Sequence, residues 1–293
     1  MNTTMNTVNQ TFDWSRFTAT LRKEIVENKR GLLFTLVCVY GLLTLIMIIG
    51  NLFATLSGGD SIEETVNVLK MPQITVCSFL SFAIIISSSL SFKNLTTKTG
   101  RTSLFTSPSS TFEKYLVNLL IYVVGMLVAF FACAQLADLT RIAALWPFRS
   151  ESLVVPGPIN FLTGFNDIVS HKAFMHGEFE TMFKGGMGWA FFINILASGG
   201  LYFMGSVLWP RLSLLKTFAG VYALEICLFI IAAPLFYLFG DMEAFGKWVF
   251  NMMSGGGFSM GMIIWSIILG AICFGMAWYL FKRKDVVSLK WWK

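Results

Sequence analysis

Glu225 is the residue of this chain whose type and setting ask most plainly for chemistry. It lies nine residues into an apolar stretch, Thr217–Phe239, that otherwise holds no acid or base. A charged group in hydrocarbon is costly, so it is expected to face a bundle interior or an aqueous cavity, where it could hold a proton, a cation or a cationic substrate. A hydrogen bond to Ser, Thr or Tyr on a neighbouring helix would satisfy the same carboxyl without any function. His171, His176 and Glu178 are metal-ligand types. Four residues separate the two histidines, which does not set both on one helical face as HExxH spacing does, and solvated side chains are the simpler expectation. Cys38, Cys77, Cys133, Cys227 and Cys273 all fall in apolar stretches without metal-ligand spacing and read as small hydrophobes. No GxxxxGK[ST] phosphate loop and no paired catalytic groups occur. The sequence therefore predicts no enzyme, no cofactor and no metal site.

The elements that must position these residues are six apolar stretches: Gly31–Leu56, Pro72–Phe92, Tyr115–Leu136, Trp189–Leu208, Thr217–Phe239 and Ser259–Phe281. Each is 20 to 26 residues long. About 20 apolar residues of helix cross a bilayer core, and backbone in lipid must satisfy itself, so each stretch is predicted to be a helix. The fold class expected is all-α: a polytopic membrane protein with six transmembrane helices. Composition agrees, at 55% hydrophobic and 13% charged, against roughly 25% charged in soluble domains. The expected organisation is a cytoplasmic arm with an amphipathic helix (1–30) and a six-helix transmembrane domain (31–293) carrying an outer loop at 137–188. No cleavable signal peptide is expected, because the first apolar run starts only at Gly31.

Six spans put both termini on one side, together with the 93–114 and 209–216 loops. That side carries sixteen of the 22 Lys and Arg residues and five of the 16 acids. Basic loops stay inside, so both termini are predicted cytoplasmic. The net charge of +6 then reads as topology and attraction to anionic lipid rather than nucleic-acid binding.

Within the arm, Trp14, Phe17, Leu21 and Ile25 recur at helical spacing among Arg16, Arg22, Lys23, Lys29 and Arg30, which predicts a basic amphipathic helix lying at the membrane surface. The second span holds Ser78, Ser81, Ser87, Ser88, Ser89 and Ser91, and small residues recur as Gly125–Ala129–Cys133, Ser266–Gly270 and Ala271–Gly275. These are expected to be helix-packing faces. In the 93–114 loop, Pro108 stops a preceding helix and Ser110–Glu113 has capping-box spacing, so the third span's helix should begin near Thr111. Leu104 and Phe105 would give a short upstream helix an apolar face for a partner protein, although from spacing alone a solvated loop is the simpler expectation.

A basic amphipathic entry helix, six spans with both ends inside, and the loop Arg–x–x–Leu–Phe–x–Ser–Pro–Ser–Ser–x–x–Glu–Lys together resemble the membrane subunits of ABC-2 type transporters, including ABC-2-like membrane proteins of Bacteroidota. The residues matching that family's loop between spans two and three are Arg101, Leu104, Pro108, Ser110 and Glu113. Its final Lys falls on Asn118, with Lys114 nearby. The stretch Phe203–Thr217 is similar to the family's joint before span five. The resemblance implies a non-catalytic permease subunit of an exporter, a separate ABC ATPase as partner and energy source, and a homodimer. It also implies that Leu104, Phe105 and Pro108 dock on the ATPase while Arg101 and Lys114 position them. The prominent outer loop here follows span three, which departs from many members of that family. A membrane-embedded scaffold, sensor or immunity-type protein without a transport path is the alternative.

Overall fold

In a computed structural model of the 293-residue chain, the structure describes residues 12–57, 71–148, 158, 187–239 and 257–284. The elements are α1 (Trp14–Ser57), α2 (Met71–Leu90), a 3-10 turn (Lys93–Thr96), α3 (Lys98–Thr106), α4 (Thr111–Leu119), a π-helical turn (Leu120–Gly125), α5 (Met126–Leu145), a second 3-10 turn (Trp146–Phe148), α6 (Met187–Leu208), α7 (Ser213–Phe239) and α8 (Gly257–Lys282). Every element among the described residues is helical. Four stretches are long and apolar enough to cross a membrane: Trp14–Phe53, Thr111–Phe148, Trp189–Leu208 and Met260–Lys282. This is an all-helical membrane protein. The expected second span is represented by α2, whose described apolar part, Ser78–Leu90, is shorter than a bilayer crossing. The expected fifth span lies within the 27-residue α7.

Three expectations change on folding. The amphipathic stretch and the first span are one unbroken 44-residue helix, on the order of 66 Å long at 1.5 Å per residue. Its first part is therefore not a separate helix. It turns Phe17 and Glu24 into the protein, with Thr20, Leu21 and Asn28 half-buried beside them, and leaves Trp14 and Ile25 exposed. Second, the region expected to open an outer loop at 137 instead continues α5 to Leu145. It holds a buried ion pair, Arg141 to Asp138 at 2.8 Å. One residue of the segment from 149 to 186, Pro158, is described; His171, His176 and Glu178 lie outside the described residues. Third, of the small-residue ladders, α8 buries Ser266 and Gly270 and continues through Cys273, Ala277 and Phe281, whereas Ala271 and Gly275 are exposed. In the other ladder Gly125 is exposed and only Cys133 is buried, and α5 packs through it together with Phe130, Ala134 and Ala137.

α6 is the hub of the bundle, and small residues are what allow it. A Cβ on Gly205 would overlap the Thr217 side chain of α7. At Gly199 and Gly200 a Cβ would press on Ile84 of α2 and Phe274 of α8. Close helix approach through small residues is the usual solution where lipid tails supply no hydrophobic drive. The serines of α2 act as expected: Ser87 Oγ donates to the Tyr122 carbonyl at 2.6 Å, and Ser91 and Ser206 hydroxyls pair at 2.7 Å. Tyr122 sits in the π turn, where the carbonyl pattern of an α-helix is disturbed and a side-chain donor can enter.

Two apolar clusters divide the molecule. One joins Leu43 and Met47 of α1, Leu80 and Ile84 of α2, Phe130 and Ala134 of α5, and Ile195 of α6. The other joins Phe92, Leu95, Tyr115, Phe203, Val207, Ala277 and Phe281. The second cluster thus gathers the C-terminal ends of α2, α6 and α8 with the N-terminal end of α4, and the 93–110 loop packs on it.

Candidate functional site

The polar loop between α2 and α4 is folded, and each part has a local cause. Thr97 caps α3 by accepting from the Gly100 amide at 3.1 Å. Gly100 is required there, since a Cβ would strike the Asn94 carbonyl. Ser107 is extended, as a residue before Pro must be. Ser110 then caps α4: its Oγ accepts from the Glu113 amide at 3.1 Å and its amide donates to Glu113 Oε2 at 2.8 Å. The predicted capping box forms at the predicted start, Thr111.

Glu113 does more than cap. It is fully buried, and its Oε1 accepts from the Asp13 amide at 2.8 Å and from Arg16 Nη2 at 3.3 Å. Two turns further along α1, Glu24 Oε1 accepts from Asn28 at 2.8 Å and from Asn94 at 3.2 Å. Burial pushes the Glu24 carboxyl above its usual range, with Glu27 adding to it. Two carboxylates therefore fasten α1 to the loop, one at each end of the loop.

The other residues singled out from sequence separate into inward and outward groups. Leu104 and Phe105 are half-buried against the Phe92–Phe281 cluster, with the Phe105 ring stacked 6.2 Å from Phe281. They hold α3 down. The amphipathic pattern is the same whether the apolar side meets a partner or the chain's own core. Arg101 is half-buried and close enough to Lys284 to push that ammonium down, an effect second to burial. Lys114 is buried and donates to the Ser107 carbonyl at 3.1 Å. Burial, and then Lys23, lower its pKa. Pro108 is exposed, as are Lys98, Thr99, Thr102, Ser103 and Thr106; of these, Ser103, Thr106 and Pro108 also border a cleft toward α1, and Lys98, Thr99 and Thr102 do not.

Glu225 is not in the bundle interior. α7 is buried at Ser213 and Thr217, next to Gly205; from Phe218 to Ile231 the residues whose side chains are described are exposed, Glu225 among them, except the half-buried Val221. Tyr202 of α6 is within electrostatic reach of it.

Between α1 and the loop lies a cleft of about 450 Å³ whose walls include Arg16, Lys23, Glu24, Asn94, Lys114 and Asn118. Sequence reasoning missed Asp13, Glu24 and Asn94, and met Asn118 only as a departure from the family's loop pattern. The available signal for Glu24 was its position seven residues after Phe17, on the buried side of α1. Among the described residues no group of three or more His, Cys, Asp or Glu could hold a metal. Set against known proteins, the chain matches no family model, no curated protein and no solved structure.

Proposed function

We propose that this chain is the non-catalytic permease subunit of an ABC-type exporter, coupled to a separate ATPase through the 93–114 loop. The observation that supports it most is mechanical. α3 is a short helix with a polar outer side, seated on the cluster where the ends of α2, α4, α6 and α8 meet, and the loop that carries it is fastened to α1 by Glu113 and Glu24. A force on α3 has a packed route into five of the membrane helices. In this reading six spans cross a bacterial cytoplasmic membrane with both termini inside, and closure of the ATPase pushes α3 and rocks the bundle to alternate access. The docking surface is the exposed side, Thr99, Thr102, Thr106 and Pro108, with Leu104 and Phe105 as its anchors.

The exporter works as a homodimer, and the second copy covers Glu225. A carboxylate on a helix that otherwise offers apolar side chains to lipid is expensive, and a protein surface across α7 removes that cost. Glu225→Gln in this reading changes export or its pH dependence. In a scaffold without a transport path it changes at most stability.

The experiment is affinity purification of the tagged chain from its own host's membranes in mild detergent. A P-loop ATPase should accompany it stoichiometrically and be lost with Thr102→Arg, a substitution on an exposed position. Purification of the chain alone, or with an envelope or sensor protein, would replace this reading by the scaffold alternative.

A further inference from the structure

The cleft between α1 and the 93–118 segment has unmet electrostatic needs of a particular kind. Lys114 is only 4% exposed, and among the described residues its ammonium has one hydrogen bond, to the Ser107 carbonyl. No carboxylate lies within 4 Å of it among the described residues. Of the other cations on the cleft, Arg16 is held by the buried Glu113 at 3.3 Å, whereas Lys23 is exposed and only loosely paired with Glu27, at 3.8 Å, and can turn toward a ligand. Buried charges are normally paired, so Lys114 calls for an anion. One helical turn along α4, Asn118 is also 4% exposed, and its Nδ2 donates to the Lys114 carbonyl at 3.0 Å. Its Oδ1 is buried without a hydrogen-bond partner among the described residues, so it calls for a donor. Both side chains line the same cleft, whose volume of about 450 Å³ exceeds what a lone inorganic ion fills.

We propose that this cleft is a binding site for a phosphate ester carrying a free hydroxyl, with the phosphate held by Lys114, assisted by Lys23, and the hydroxyl donating to Asn118 Oδ1. An anion alone leaves Asn118 unsatisfied, and a neutral polyol leaves Lys114 unpaired. Glu24 and Glu27 also line the cleft; the Oε1 of Glu24 accepts from Asn28 and Asn94, and Glu27 is paired with Lys23. The cleft lies beside the part of α1 that immediately precedes the apolar run starting at Gly31, so a lipid headgroup or a soluble ester could reach it. The site does not depend on the exporter reading.

The test uses the full chain in phosphatidylcholine nanodiscs, with thermal denaturation followed as one of three probes is added: phosphatidylglycerol, phosphatidylmethanol (the same charge without the hydroxyl) or soluble glycerol 3-phosphate. Stabilisation by phosphatidylglycerol over phosphatidylmethanol identifies a lipid headgroup. Stabilisation by glycerol 3-phosphate alone identifies a soluble ester. Either result supports the site. Lys114→Gln should weaken binding roughly ten- to a hundredfold, the loss of a hydrogen bond to a charged group. Asn118→Leu should erase the preference for phosphatidylglycerol. Lys23→Gln, on an exposed residue that cannot threaten the fold, should also weaken binding. Response to none of the probes would overturn the proposal, as would equal response to both lipids in the unaltered chain without any soluble-ester effect, or Lys114→Gln and Lys23→Gln binding as the unaltered chain does.

Discussion

Replacing Glu113 by Ala should release the start of α1 from the loop without dismantling the bundle. The carboxylate is fully buried and receives the Ser110 amide, the Asp13 amide and Arg16. Losing the reciprocal half of the capping box costs about 1 kcal/mol. Stranding the partly buried Asp13 amide costs about another 1 kcal/mol. The Arg16 pair adds less than about 1 kcal/mol, because the Arg16 side chain is 32% exposed and solvent screens it. The total is about 2–3 kcal/mol, concentrated where α1 meets α4. Hydrogen–deuterium exchange in detergent micelles is the direct assay. Amides of residues 13–28 should exchange roughly thirtyfold faster, the factor corresponding to about 2 kcal/mol, while those of α6 and α8 stay protected. Glu113→Gln keeps one acceptor but turns its amide nitrogen toward a donor, so it should show a smaller change in the same segment. Unchanged exchange over 13–28 in Glu113→Ala would refute the idea that this carboxylate fastens α1.

Other outcomes follow from single features. Glu24 has a raised pKa in the folded chain, so its contribution is fully present below the usual carboxylate range and is lost as pH rises through the folded value. Glu24→Gln should therefore gain stability relative to the unaltered chain between mildly acidic and neutral pH, read as the difference in thermal midpoint across that window. Gly205→Ala should lower stability by about 1–3 kcal/mol through overpacking against Thr217, and adding Thr217→Ala should recover part of it. Leu212 sits at φ 56° in the joint between α6 and α7 and is 69% exposed. A left-handed L-residue costs about 1–2 kcal/mol, so Leu212→Gly should leave the thermal midpoint level or higher, whereas Leu212→Val should lower it, β-branching being least tolerated there.

Apolar length and turn chemistry made the helices legible. Pro108, Ser110 and Glu113 located the start of α4 because capping is local and needs no knowledge of the rest of the chain. The role of Glu113 toward α1 was not legible, since Asp13 and Arg16 lie about a hundred positions away. From sequence alone the stripe Trp14–Phe17–Leu21–Ile25 reads as a membrane face. Folding splits it: Phe17 goes inward with Glu24, and Trp14 and Ile25 remain outside. Periodicity reports that a helix has a face but not what the face meets. The same ambiguity hid the direction of Leu104 and Phe105, which anchor α3 on Phe281. For Glu225 the rule that intramembrane charges face inward assumes a complete assembly, and one chain alone leaves α7 open. Asn118 and Lys114 acquire their significance only from burial.

The central claim, that the outer side of α3 is where an ATPase acts on this bundle, is tested most directly by photo-crosslinking in the host membrane. A photoreactive amino acid at Thr102 should capture a P-loop ATPase, and the same residue at Leu139, exposed on α5, should not. Capture of no ATPase at Thr102, or equal capture at both positions, would contradict the account.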